Sequence, residues 1–352
     1  MIVEAYFLDA PNNPLSKRDL PLCDPAPAEA LVEVKACGLC HTDLGYANGS
    51  VAPRHPLPLV LGHEVTGRVV AAGERFAHLV GSMVIVPAIL PCGDCVFCRS
   101  GRANACRKQK MPGNDIHGGF STHMLVPAGA LITLDDAPPE ISIEEIAVVA
   151  DATSTAYQAV MRSGLKEGDA AFVVGAGGVG SFVIQIAHAL GAHVAACDIS
   201  DERLQIAAEH GAEHTLNVRE RDSRSVRQEL RDLAGTWGVP SLRYRILECS
   251  GTSAGQLLAF GLLAPAATLV QVGYTRDKIE VRLSNLMAFD ATIHGTWGCP
   301  PERYPEILRL VYDGKVVLGP FVERAPMSEV NRLLDDMSHH RLTRRMILDP
   351  HT

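Results

Sequence analysis

The chain carries no surplus of positive charge: 32 Lys and Arg stand against 40 Asp and Glu, a formal net charge of −8. That balance argues against nucleic-acid binding but says little about small anionic ligands, which respond to local charge. No basic leader opens the chain. Met1 through Pro11 carries Glu4 and Asp9, which reads against a signal or transit peptide and for a cytoplasmic location. Internal repeats and low-complexity tracts are missing as well. From Cys249 to Thr275 no charged residue occurs, but Gly255, Gly261, Pro265 and Gly273 break the run, and Gln256 and Gln271 sit inside it. The run predicts a buried helix followed by a core strand and no membrane span.

At 352 residues the chain is long enough for two domains, each with its own core. The first 150 or so residues hold short apolar runs punctuated by Pro and Gly, among them Leu31 to Val34, Val65 to Val70 and Met83 to Ala88, the pattern of an irregular β domain. From about Thr153 strands and helices alternate. Ala170 to Val174, His193 to Cys197, Tyr244 to Leu247, Thr268 to Val272 and Ala291 to Gly295 are the expected strands of a parallel, doubly wound α/β sheet. The boundaries predicted are 1–152 for the β domain, completed by 298–352, and 153–297 for the α/β domain.

Four cysteines, Cys92, Cys95, Cys98 and Cys106, follow the spacing C-x2-C-x2-C-x7-C. This suits a closed tetrathiolate zinc site that staples a loop without a core of its own. Four unrelated buried cysteines would not bring Pro91, Gly93 and Gly101 turns between them, and a soluble chain of this length has no need of disulfides. The remaining Cys23, Cys37, Cys197, Cys249 and Cys299 read as small buried hydrophobes.

Strand Ala170–Val174 runs directly into Gly175-Ala176-Gly177-Gly178-Val179-Gly180, after which Val179, Val183, Ile186 and Leu190 recur at helical spacing before Gly191. Glycines at these positions allow a tight turn, a close backbone approach to a pyrophosphate and close helix packing. Asp198 ends the next strand. A carboxylate there accepts hydrogen bonds from ribose hydroxyls and repels a 2′-phosphate, and no arginine at Ile199 or Ser200 reverses that preference, so NAD is the expected cofactor.

Upstream, Cys37-Gly38-Leu39-Cys40-His41-Thr42-Asp43 precedes Gly62-His63-Glu64, a cysteine and a histidine with carboxylates nearby, as an open catalytic zinc requires. With these motifs in this order, the chain resembles the zinc-dependent medium-chain alcohol dehydrogenases over essentially its whole length. The resemblance implies a GroES-like β domain beside the Rossmann domain, two zinc ions per chain and NAD. Cys40 and His63 match the first two catalytic ligands, Asp151 falls at the third, where many members carry cysteine, and Glu64 matches a carboxylate beside the metal that exchanges onto it. Thr42 matches the hydroxyl that bonds the substrate oxygen, and Asp43 the carboxylate that orients a ligand. Thr155 and Arg203 join the glycine turn and Asp198 as cofactor positions, as does His41, which reads equally as a surface residue. Gly45 stands where many members place a relay histidine.

The strings around Ala150-Asp151-Ala152, Gly113 to Phe120, Leu283 to Met287 and Gly295 to Gly298 resemble the 6-hydroxycyclohex-1-ene-1-carbonyl-CoA dehydrogenases of anaerobic benzoyl-CoA degradation. This implies a secondary-alcohol acyl-CoA substrate, with Asn114 and His117 either near it or capping their loop. The basic run Arg99, Arg102, Arg107, Lys108, Lys110 either meets the CoA phosphates or forms a solvated face. Two alternatives stand beside this: an alcohol or polyol dehydrogenase without a thioester, and a non-catalytic NAD-binding structural protein. The resemblance further implies a homodimer joined through Rossmann strands, or a tetramer.

Overall fold

The computed structural model describes residues 1–352, which divide into two compact units. The first comprises Met1–Ser154, Gly298–Tyr312 and Phe321–Thr352. Its strands are β1 (Ile2–Leu8), β2 (Ser16–Pro21), β3 (Glu29–Gly38), β4 (Leu59–Val60), β5 (Glu64–Ala72), β6 (Met83–Val86), β7 (His123–Pro127) and β8 (Ile132–Thr133). Between them lie α1 (His41–Ala47) and α2 (Val96–Arg99), and α3 (Ala152–Ser163) begins at the unit's edge. β1 pairs antiparallel with β2 and β4, while β3 is the hub of a larger sheet, antiparallel to both β5 and β7. Alternating burial along β1, with Val3, Ala5 and Phe7 inward, is the period-2 signature of a strand with one wet face. β3 is buried along most of its length because it lies between neighbours and over the core formed by Val32, Leu61, Phe120 and Met124.

The second unit comprises Thr155–Trp297 and Asp313–Pro320. It runs β9 (Ala170–Val174), α4 (Gly180–Ala189), β10 (His193–Asp198), α5 (Asp201–Glu209), β11 (His214–Asn217), α6 (Ser223–Thr236), β12 (Tyr244–Glu248), α7 (Ser253–Gly261), β13 (Thr268–Gln271), α8 (Ser284–Phe289) and β14 (Thr292–Gly295). The six strands form one sheet in the order β11-β10-β9-β12-β13-β14, every pairing parallel. β9 is buried throughout, as a central strand covered on both faces must be. The turn after it depends on glycine. Gly175 has φ +96°, and a Cβ there would lie 2.6 Å from the Ser250 backbone; one on Gly180 would lie 1.8 Å from the Gly175 carbonyl oxygen.

The chain then returns to the first unit with α9 (Tyr304–Tyr312), β15 (Val322–Pro326), α10 (Val330–Ser338) and β16 (Arg345–Asp349). β16 pairs parallel with β15 and antiparallel with the end of β3. Residues 313–320 depart from the boundary expected from sequence and group with the second unit. Gln185 in α4 holds them: its Oε1 accepts from Val317 N at 2.8 Å and its Nε2 donates to Val317 O at 3.2 Å. No helix is long and apolar enough to cross a membrane.

Candidate functional site

Cys40, His63 and Asp151 come together in the first unit, their ligand atoms all within 4.8 Å of one another. Cys40 sits at the N-cap of α1, His63 just before β5, and Asp151 in the turn that leads into α3. Cys40 Sγ lies 4.0 Å from Asp151 Oδ2, and His63 Nε2 lies 3.6 Å from the same oxygen. For a tetrahedral zinc with bonds of about 2.0–2.3 Å, such edges are about 3.4–3.6 Å, so a small inward movement closes the set. Asp43 prepares it. Fully buried, its Oδ2 accepts from Cys40 N (3.0 Å) and its Oδ1 from Gly62 N (3.0 Å), with His63 Nδ1 at 3.2 Å. A proton on Nδ1 leaves Nε2 as the ligating nitrogen, and that buried Nε2 has no hydrogen-bond partner. Burial lowers the His63 pKa, but the Asp43 charge, the Nδ1 bond to Asp43 and the neighbouring Asp151 and Cys40 outweigh it and raise the value well above that of free imidazole. An unpartnered nitrogen beside a thiol and a carboxylate fits a zinc ion.

Glu64 stands apart from this set. Its Oε2 accepts from Arg345 Nε at 2.6 Å, and its Oε1 accepts from Arg345 Nη2 at 2.7 Å and from Ala152 N at 2.9 Å. The expectation that Glu64 is a ligand is therefore corrected for this conformation: a guanidinium fork holds both oxygens. Burial pushes the Glu64 pKa up against the pull of Arg345, while the Glu64 charge overcomes burial to keep Arg345 firmly protonated. Arg345, on β16, went unnoticed because no spacing rule links residues 281 positions apart.

The sulfurs of Cys92, Cys95, Cys98 and Cys106 form a cage. Neighbouring pairs are separated by 3.5 Å (Cys95–Cys98), 3.5 Å (Cys106–Cys92), 3.7 Å (Cys95–Cys106) and 4.0 Å (Cys92–Cys98). A tetrahedron with Zn–S bonds of about 2.3 Å has edges of about 3.8 Å, so this donor set fits zinc as it stands. Backbone N–H donation at Cys98 is the leading cause that brings the Cys95 thiol down to about 6, whereas a hydrogen bond to Asp94 drives Cys92 up to about 12.

In the second unit, buried Asp198 binds the glycine turn. Its Oδ2 accepts from Ala176 N at 2.7 Å, its Oδ1 accepts from Ile199 N (2.8 Å) and Ser200 N (3.0 Å), and Arg203 Nη1 approaches to 4.0 Å. Gly177, Gly178 and Val179 are at least partly exposed ahead of α4, where backbone N–H groups and the helix terminus favour a phosphate. A Cβ on Gly177 would meet only Arg203, at 3.8 Å.

Thr42 follows Cys40 by two residues, its Oγ1 3.7 Å from the sulfur. His41 is exposed and Thr155 partly buried in α3. Asn114 and His117 take up loop-capping bonds: Asn114 Oδ1 accepts from Arg54 N and His117 Nδ1 from Val60 N. Arg99, Arg102, Arg107, Lys108 and Lys110 are all exposed. Of the other cysteines, Cys37, Cys197 and Cys299 are buried and Cys249 partly so, but Cys23 is exposed; at the start of an irregular connection, it has no sheet to cover it.

Residues 26–136 match the alcohol dehydrogenase GroES-like domain, and residues 178–313 the zinc-binding dehydrogenase domain. An alcohol dehydrogenase of Geobacillus stearothermophilus is 30% identical over 91% of both chains, and an L-galactonate-5-dehydrogenase of Escherichia coli is 30% identical over 85% of this chain and 84% of its own. The galactitol-1-phosphate dehydrogenase structure from Escherichia coli superposes with a TM-score of 0.86, 26% identical over 99% of this chain and all of that one. The paired metal clusters and glycine turn thus occur in a chain that aligns with these enzymes over 85% to 99% of its length, and it belongs to the zinc-dependent medium-chain alcohol dehydrogenase family.

Proposed function

We propose that the protein oxidises a secondary alcohol to a ketone with NAD, and that zinc is held at Cys40, His63 and Asp151 and at the four-cysteine lobe. The observation that carries this reading is the ligand cluster with its orphaned His63 Nε2. When bound, the metal supplies Lewis-acid polarisation of the alcohol oxygen and the dinucleotide supplies a hydride acceptor. The chain's own part is positional. Asp43 orients His63, Arg345 occupies both oxygens of Glu64, and Thr42 offers a hydroxyl beside Cys40 to accept the substrate proton. Beyond Thr42 no side chain extends from Gly45, and the nearby Ser50 hydroxyl is already donated to the Gly45 carbonyl. The proton passes from Thr42 either to another group or directly to solvent. The intact ligand set argues against a non-catalytic role. Exposed Ile293 on the outer strand β14, with Leu283 and Met287 exposed beside α8, supports the edge-to-edge dimer that family resemblance implies.

For the substrate we propose 6-hydroxycyclohex-1-ene-1-carbonyl-CoA or a near relative, on the resemblance in the Gly113–Phe120 and Leu283–Met287 strings, with the exposed Arg99–Lys110 run available to the CoA phosphates. The polyol reading competes through the sugar-acid and sugar-alcohol relatives. Remote binding energy from CoA aids the positioning of the reacting carbon, so the truncated alcohol should lose kcat as well as affinity. Measuring kcat/KM for the CoA ester, free cyclohexenols and polyols decides between them. A preference for free alcohols or polyols removes the acyl-CoA substrate and leaves the alcohol dehydrogenase; no turnover of any alcohol removes both.

A further inference from the structure

Glu248 is the last residue of β12, at the centre of the parallel sheet, paired across its two ladders with Val174 and Gln271. It is fully buried, yet the groups that bind its carboxylate are all uncharged. Oε1 accepts from Ser250 N (2.8 Å) and from the Ser250 hydroxyl, and Oε2 accepts from Gln271 Nε2 at 2.7 Å. Gln271 Nε2 also donates to Gly273 O at 2.7 Å, and the Glu248 main-chain carbonyl accepts from Val272 N and Gly273 N, each at 2.9 Å. The neighbours are backbone pressed against backbone. A Cβ on Gly273 would lie 2.3 Å from Gly251 N and 2.7 Å from Glu248 Oε2, and Ser250 is the residue against which the Gly175 turn packs. One carboxylate thus ties together the turns that leave β9, β12 and β13 on a single edge of the sheet. That is the carboxyl edge, outside which open parallel sheets bind their ligands. Burying a carboxyl group without a cation is costly, and an apolar side chain would fill the same space without that cost or the links between turns.

We propose that Glu248 is a positioning residue for the dinucleotide: by fixing the Ser250–Gly251 and Gly273 turns against Gly175, it holds the carboxyl edge in its binding geometry. This rests on the reading of the second unit as the dinucleotide-binding domain. In Glu248→Gln the new amide turns its N–H toward the Gln271 amide, or its oxygen away from Ser250, so one of the turns is released. Dinucleotide binding, followed directly by fluorescence of NADH on the zinc-loaded enzyme, should weaken about tenfold, and KM for NAD should rise with it, while KM for the alcohol and the zinc content stay at wild-type values. Ser250→Ala removes a single donor and should weaken binding about threefold. Wild-type affinity in Glu248→Gln overturns the inference alone. So does a parallel rise in alcohol KM with loss of zinc, which marks general unfolding. A wild-type enzyme that binds no NADH overturns the dinucleotide reading itself.

Discussion

Replacing Arg345 by methionine tests the most deeply buried arginine–carboxylate pair of the molecule. The Glu64 side chain is 0% exposed and that of Arg345 6%, joined by bonds of 2.6 and 2.7 Å. The substitution keeps much of the apolar stem but leaves Glu64 with a single donor, Ala152 N at 2.9 Å. Removing one partner of a buried pair costs about 3–5 kcal/mol, because a desolvated charge remains, whereas replacing both by apolar groups is often near neutral. For a folding unit of this size, about 2–4 °C of melting temperature accompanies each kcal/mol, so Arg345→Met should melt about 6–20 °C below wild type. Glu64→Met should fall by a similar amount, and the double variant should regain most of the loss, a coupling that calorimetry resolves in a double-mutant cycle. Zinc analysis on the same samples should show Arg345→Met keeping its catalytic metal while turnover falls, since the freed carboxylate can swing toward His63 and take the position that the substrate needs. Single variants within about 1 kcal/mol of wild type, or a double variant showing the sum of two losses, would refute the reasoning.

Brief chelation should strip the three-ligand centre before the closed four-thiolate cage, leaving about half the zinc and no turnover; full activity in a metal-free sample would contradict this. Asp151→Asn should reduce metal retention and kcat together while Asp151→Cys retains the ion, and an Asp151→Asn enzyme with unchanged zinc and rate would return this residue to a structural turn. Asp198→Gly should lower NAD affinity and raise NADP use, and because it also frees Ala176 N from the carboxylate, it should raise hydrogen exchange in the 175–180 turn. Equal use of NAD and NADP by the wild type would refute the assignment.

Features written in contiguous residues were legible. The glycine turn shows because glycine alone accepts φ +96° against the Ser250 backbone, and the metal lobe because its four sulfurs come from one loop. The central strand of the parallel sheet, Ala170–Val174, is a short, fully apolar run, which is what burial on both faces demands. What stayed hidden was long-range. Gln185 reaching Val317 moves residues 313–320 into the second unit through a side chain that looks like any other in a helix. Glu248 ends a buried strand as an apparently misplaced charge, and only the Ser250 turn and the end of the neighbouring strand at Gln271 give it partners.

The same distance effect explains why Glu64 is easily taken for a ligand. It follows His63 directly, and a carboxylate next to a ligating histidine invites coordination. Charge argues otherwise. Cys40 as thiolate and Asp151 as carboxylate would already balance a divalent ion, with His63 offering Nε2 as a neutral ligand while its Nδ1–H donates to Asp43. A third anion would leave the centre negative and fill the fourth position, and a catalytic zinc needs that position for water or substrate. Arg345 prevents this by engaging both Glu64 oxygens from β16, and Ala152 N adds a third bond at the start of α3, the residue after Asp151. Arg345, supplied by the last strand of the chain, therefore keeps a charge out of the metal centre and ties β5 to the turn that presents Asp151. Its loss should be felt in stability and in turnover alike.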